Sequence, residues 1–182
     1  ELARSAGFCY GVRRAVDLAE HAVAAGERPA MLGPVIHNSQ VIEDLCARGA
    51  RLIHAPEEAQ PEEVVVIRAH GEAARTYAVL AERRCRIIDG TCPHVRRIQD
   101  IARQARDTGR QMVLIGDPGH PEVRGICGWG RGVLVFSDPI SLQKWLENQE
   151  DPCLLPITAA AQTTQTREIW EVSVNFLKKQ CT

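Results

Sequence analysis

Short aliphatic runs of strand length alternate along this chain with stretches of helical period, and that alternation leaves few folds open. VVVIRA at 64–69 is nearly continuous in apolar residues, the pattern of a strand covered on both faces. PAML, RLIHA, CRIID, QMVLIG, VLVFS and CLLPITA read as further strands, and ELARSA as the end of another. Between them, apolar positions recur every three to four residues. Val12, Ala15, Val16, Ala19, Ala22 and Val23 form one such stripe, with Gly26 as its stop. Val95, Ile98, Ile101, Ala102 and Ala105 form another, with Pro93 suited to its first turn and Gly109 beyond its end. Helices are also expected from a Ser39 N-cap to near Gly49, over ARTYAVLAERR, near PEVRGIC, and over PISLQKWLEN and TREIWEVSVNFLKK. Strands alternating with helices imply parallel sheets with right-handed crossovers. A boundary near 94/95 divides the chain into two similar α/β units, 1–94 and 95–182.

The formal net charge of −1 argues against a bulk nucleic-acid or membrane binder. No apolar run approaches a membrane span, and no signal peptide is visible. Seven cysteines lack the density of a disulfide scaffold, so a reducing compartment with some thiols used as ligands fits better. Cys46 falls on the apolar face of a helix with Val41, Ile42 and Leu45, and Cys153 opens a strand. These two, with Cys85 and Cys127, read mainly as small hydrophobes. The chain starts at Glu1, apparently inside a strand, and stops at Thr182 as a helix ends, so it is expected to be a piece of a longer protein.

In open α/β sheets, ligands bind beyond the carboxyl ends of the strands. Six polar motifs stand where a strand-like run gives way to a helix. Cys9 in AGFCYGV lies between Gly7 and Gly11, and Cys92 in DGTCPHV lies between Thr91 and Pro93. Glycine admits close backbone approach, and amides at a helix start favour thiolate. GPVIHN carries His37 and Asn38, RAHG carries His70, and GHPEVRG carries His120 and Glu122. Imidazoles and amides at helix N-termini suit a phosphate or diphosphate. Glu122 is either a proton donor or a charge placed to suit the helix dipole. In AAQTTQT, Thr163 and Thr164 are either N-caps or, with Gln162, a polar pocket wall. His21, His54 and His94 lack such a setting. The chain has no GxGxxG, no Walker loop and no CxxC pair, so nucleotide, zinc-ribbon and thioredoxin-like readings gain little support. One mouth built from the six motifs would hold a metal cluster beside an anionic substrate.

Taken in order, GFCYGVRRAV, GPVIHN, AHG, DGTCP, GHPEV-G and QTT resemble the signature series of the 4-hydroxy-3-methylbut-2-enyl diphosphate reductases, the LytB or IspH family. The resemblance implies three similar α/β domains around a central 4Fe-4S cluster, of which this chain matches the first two. It implies Cys9 and Cys92 as two of three cluster ligands, and His37, His70 and His120 in the diphosphate pocket, with Asn38 and Thr164 beside them. It further implies Glu122 as the proton-delivering residue, assisted by His120, and Thr163 near the substrate hydroxyl. The implied reaction removes that hydroxyl with two electrons and two protons, giving isopentenyl and dimethylallyl diphosphates in the non-mevalonate isoprenoid pathway. A ferredoxin- or flavodoxin-type donor would supply the electrons, in the cytoplasm or, after loss of a transit peptide, the plastid stroma. The family's third cysteine, in a Cys-x-Ala-Thr motif, has no counterpart here, and Cys181 is not assigned to it. The 182 residues alone are therefore expected not to hold a stable cluster. The competing expectation is a non-catalytic thiol- or zinc-binding α/β module that retains the motifs.

Overall fold

The computed structural model describes residues 7–149 and 156–180. The chain divides into two compact units, Glu1–Pro93 and His94–Thr182. The first contains α1 (Tyr10–Ala24), β1 (Ala30–Leu32), α2 (Ser39–Ala47), β2 (Arg51–Ile53), a 3-10 turn at Pro56–Glu58, β3 (Val64–Ile67), α3 (Ala74–Glu82) and β4 (Arg86–Asp89). Its sheet has the order β2-β1-β3-β4, and every pairing is parallel.

Alternation along the strands sorts their side chains to two faces. Met31, Val66 and Ile88 pack with Ala15, Val16 and Ala19 of α1 and Leu45 of α2. Ala30, Leu32, Val65 and Ile67 face the other way, onto Leu80 and Tyr77 of α3 and Ala59. Helices cover both faces of the sheet, which is why VVVI can be apolar at every position.

The second unit is built the same way from α4 (Pro93–Asp107, opening at the boundary), β5 (Gln111–Ile115), α5 (Pro121–Cys127), β6 (Leu134–Phe136), α6 (Pro139–Glu147), β7 (Ile157–Ala161) and α7 (Arg167–Gln180). The order is β6-β5-β7, again all parallel. Met112, Leu114 and Ala160 pack under α4 and α5, while Val113 and Ile115 pack under Leu142 and Leu146 of α6 and Leu177 of α7. Among the described residues no helix is long and apolar enough to cross a membrane.

Two details differ from the sequence reading. The cap of α2 is Asn38, whose side-chain oxygen accepts from Val41 N–H at 3.3 Å, and Ser39 is the first helical residue. Asn38 has the extended backbone of an N-cap, whereas Ser39 already has helical geometry. Cys46 is exposed, not buried with its neighbours, because Leu45 points at the core and the next residue is rotated about 100° away. In CLLPITA, Ile157 opens β7, and residues 153–155 lie outside the described residues. The strand expected in ELARSA, Cys153 and Cys181 also lie outside them.

Candidate active site

Sheet order decides where a ligand can enter. In the first unit the chain passes from β1 outward to β2, then returns to the other side of β1 as β3. The switch point is between β1 and β3, whose last residues Leu32 and Ile67 are paired. Loops leaving adjacent strand ends in opposite senses open a crevice there. GPVIHN leaves β1 and RAHG leaves β3, tied by a hydrogen bond from Ala69 N–H to Val35 C=O at 3.3 Å. His37 and His70 therefore meet, with ring centroids 4.8 Å apart. Both line a cavity of about 240 Å³ with Phe8, Val12, Ile36 and Asn38. Arg68 crosses from one loop to the other. It pairs with Glu72 at 2.6 Å and lies over Gly33, where a Cβ would sit 2.9 Å from its Nη1.

The DGTC loop joins the same end of the sheet. Gly90 N–H donates to Ile67 C=O and Cys92 N–H to Ala69 C=O, both at 2.9 Å. Arg14 of α1 donates to the carbonyls of Asp89 and Thr91, at 3.1 and 3.3 Å. Tyr77 O–H reaches Asp89 Oδ2 at 3.2 Å, and Thr91 N–H donates to Asp89 Oδ1 at 2.9 Å. Seven residues thus fix the Cys92 loop. Arg14, Gly90 and Tyr77 carry no motif chemistry of their own, and only the arginine pair in GVRRAV hinted at such a strut.

Cys9 is the N-cap of α1, with extended backbone and no hydrogen bond from its side chain to the helix, and it is exposed. Cys92 immediately precedes α4 and is partly exposed. Gly11 seats Cys92 against the first turn of α1. It is buried in the first turn of α1, and a Cβ there would overlap Cys92 Sγ and come within 2.9 Å of Cys92 Cβ. The turn that Cys9 caps is the turn on which the Cys92 sulfur rests. Soft thiolates at helix starts, where amide N–H groups lack helical acceptors, suit an iron–sulfur cluster, and this pair fits two of its ligands.

Other cysteines have quieter surroundings. Cys85 packs against the α3 side and donates to Gln60 C=O at 3.4 Å. Cys127 packs against the α4–α5 core, and burial pushes its thiol above the usual range. His21, His54 and His94 are exposed.

In the second unit the switch point is between β5 and β7, paired from Gln111–Ile157 to Ile115–Ala161. The loop after β5 ends at His120, Glu122 stands in the first turn of α5, and the loop after β7 carries Gln162, Thr163 and Thr164. His120 caps α5. Its Nδ1 accepts from Glu122 N–H at 3.1 Å, which places the ring proton of the neutral imidazole on Nε2. Glu122 is 2% exposed. Its Oε1 accepts from Thr163 N–H and its Oε2 from Thr163 O–H, both at 2.7 Å. A charge placed only to suit a helix dipole would stay in water, whereas this carboxylate is buried and bonded across the crevice. Gln162 makes a second bridge: Oε1 accepts from Asp117 N–H at 3.0 Å, and Nε2 donates to Thr164 Oγ1 at 2.9 Å.

Comparisons with known proteins agree with this arrangement. A family profile described as LytB protein matches residues 1–182. A 4-hydroxy-3-methylbut-2-enyl diphosphate reductase from Syntrophotalea carbinolica is 39% identical over 165 residues, covering 91% of this chain and 57% of the relative. One from a Thermoanaerobacter species is 34% identical over 181 residues, covering 97% and 61%. The chain thus spans about three-fifths of the length of these relatives. A solved (E)-4-hydroxy-3-methyl-but-2-enyl diphosphate reductase superposes with a TM-score of 0.80 at 31% identity, covering 98% of this chain and 63% of that one. The Plasmodium falciparum enzyme shares the fold, with a TM-score of 0.86 at 21% identity, covering 97% and 55%. With imidazoles and a buried carboxylate on the loops and helix starts at the switch points of two parallel sheets, and a family model matching residues 1–182, the chain belongs to the LytB protein family.

Proposed function

We propose that this chain supplies ligand-binding and proton-delivering residues of a 4-hydroxy-3-methylbut-2-enyl diphosphate reductase, an iron–sulfur enzyme of the non-mevalonate pathway. The observation that carries the reading is the buried Glu122 carboxylate held by both the N–H and the O–H of Thr163. Removing a hydroxyl as water requires a proton at the departing oxygen. A carboxyl coupled to an adjacent hydroxyl can pass one there.

In the first unit, Cys9 and Cys92 would hold a 4Fe-4S cluster, and His37, His70 and Asn38 would bind diphosphate. Bound there, the cluster would supply the two electrons of the reduction. In the second unit, Thr163 would orient the substrate hydroxyl toward Glu122, and His120 would give its Nε2–H to a ligand oxygen. The Nδ1 bond to Glu122 N–H holds that ring orientation. The electron donor would be a ferredoxin- or flavodoxin-type protein, and the compartment the cytoplasm or a plastid stroma.

The test is Glu122→Gln in the protein that carries this chain. A near-isosteric amide cannot deliver the proton, so turnover should fall by about 10²–10⁴ with iron and sulfide content unchanged. Near-normal turnover would leave Glu122 a structural role only.

A further inference from the structure

We propose that Gln162 is a positioning residue that fixes the polarity of the two neighbouring hydroxyls, so that Thr164 faces the ligand as a donor while Thr163 faces it as an acceptor. The inference rests on the diphosphate reading and deepens it. The hydrogen bonds themselves assign the orientation. Asp117 N–H can only donate, so the Gln162 atom 3.0 Å from it must be the carbonyl oxygen. The amide nitrogen is then the atom 2.9 Å from Thr164 Oγ1, and it can only donate.

The Thr164 hydroxyl therefore spends a lone pair on Gln162, and its single hydrogen must lie off that axis. Thr164 is exposed, so the hydrogen is offered outward. With Glu122 ionised, Thr163 has the opposite bias, since its hydrogen is given to Glu122 Oε2 and its lone pairs remain. Adjacent residues on one loop thus offer a donor and an acceptor. That pair matches a ligand carrying an anionic oxygen and an alcohol O–H.

The clamp is built into the fold. Gln162 is 8% exposed, and its backbone N–H donates to Ile115 C=O at 2.8 Å. Gly116, opposite, leaves room for it: a Cβ there would lie 2.9 Å from both Gln162 Cβ and Oε1. Any side chain at 116 would push the amide off its two partners.

Calorimetric titration of inorganic pyrophosphate into the protein tests the inference. Thr164→Val removes the outward donor and should weaken binding about tenfold, the loss of one hydrogen bond to a charged group. Gln162→Glu keeps the shape and the acceptor for Asp117. It reverses Thr164, whose hydrogen then goes to the new carboxylate, and binding should weaken at least as much. Gln162→Met frees the hydroxyl to rotate and should weaken binding about threefold, a small change in rotor preference. With Thr164→Val already present, Gln162→Met should have no further effect, which separates positioning from general loosening or added charge. Equal weakening by Gln162→Met in both backgrounds, or wild-type affinity in Thr164→Val, would overturn the assignment. Absence of pyrophosphate binding by the wild type would instead remove the diphosphate reading itself, and this inference with it.

Discussion

Gly11→Ala tests how Cys92 is seated on the first turn of α1. In a helix, alanine is favoured over glycine by up to about 1 kcal/mol, so an unobstructed site would gain stability. Here the added methyl overlaps Cys92 Sγ and sits 2.9 Å from Cys92 Cβ, with Cys92 Cα only 3.6 Å away. Turning the Cys92 side chain relieves the sulfur but not the Cβ. The Cys92 backbone cannot retreat without breaking its bond to Ala69 C=O. Overpacking of this kind costs roughly 2 kcal/mol, so a net loss of about 1 kcal/mol is expected. In a Cys92→Gly background the obstruction is gone and the sign should reverse, leaving the alanine variant the more stable. Urea denaturation of the four proteins gives the coupling directly. In parallel, Gly11→Ala should change the rate of Cys92 alkylation. The same destabilisation in both backgrounds, with Cys92 reactivity unaltered, would refute the reasoning.

Asp138 caps α6, and the bond it accepts from Ser141 N–H, aided by the Ser137 hydroxyl, holds its carboxyl below the ordinary range. A depressed folded value gives stability that is present above the unfolded carboxylate range and lost as pH falls through the lowered value. The thermal midpoint of Asp138→Ala should therefore lie below wild type at neutral pH and converge on it in acid, and a constant gap would contradict this. In cluster-free protein, cysteine labelling at neutral pH should modify exposed Cys46 and Cys9 well before Cys127, whose thiol burial pushes up. Rapid Cys127 modification in the folded protein would show that its core is open.

Strand and helix existence was legible because period and composition agree locally: VVVI and QMVLI are covered on both faces, and the α1 stripe Ala15, Val16, Ala19 is buried as its spacing demands. The chemistry was legible as residue type at strand ends, since parallel topology sends every such loop to one edge of its sheet. What the sequence does not carry is strand order. That order places GPVIHN beside RAHG, and the Glu122 loop beside Thr163, 41 residues later in the chain. For Glu122 the sequence left acid or dipole-suited charge open, and its burial and its bonds to Thr163 were not legible there. Gly11 reads in sequence as a flexible flank of Cys9, yet its buried face is defined by a side chain 81 residues away. Caps are similarly local contests: Asn38 and Ser39 are both good cap residues, and backbone geometry selected Asn38.

The central claim is that Cys9 and Cys92 are ligands of one iron–sulfur cluster. Anaerobic iron and sulfide analysis of the protein that carries this chain, as wild type and as Cys9→Ser and Cys92→Ser, tests it most directly, with Cys46→Ser as the control. The account predicts a brown wild type and control, and loss of both iron and sulfide in each of the other two variants. Full iron and sulfide in either Cys9→Ser or Cys92→Ser, or a colourless wild type holding zinc, would contradict it.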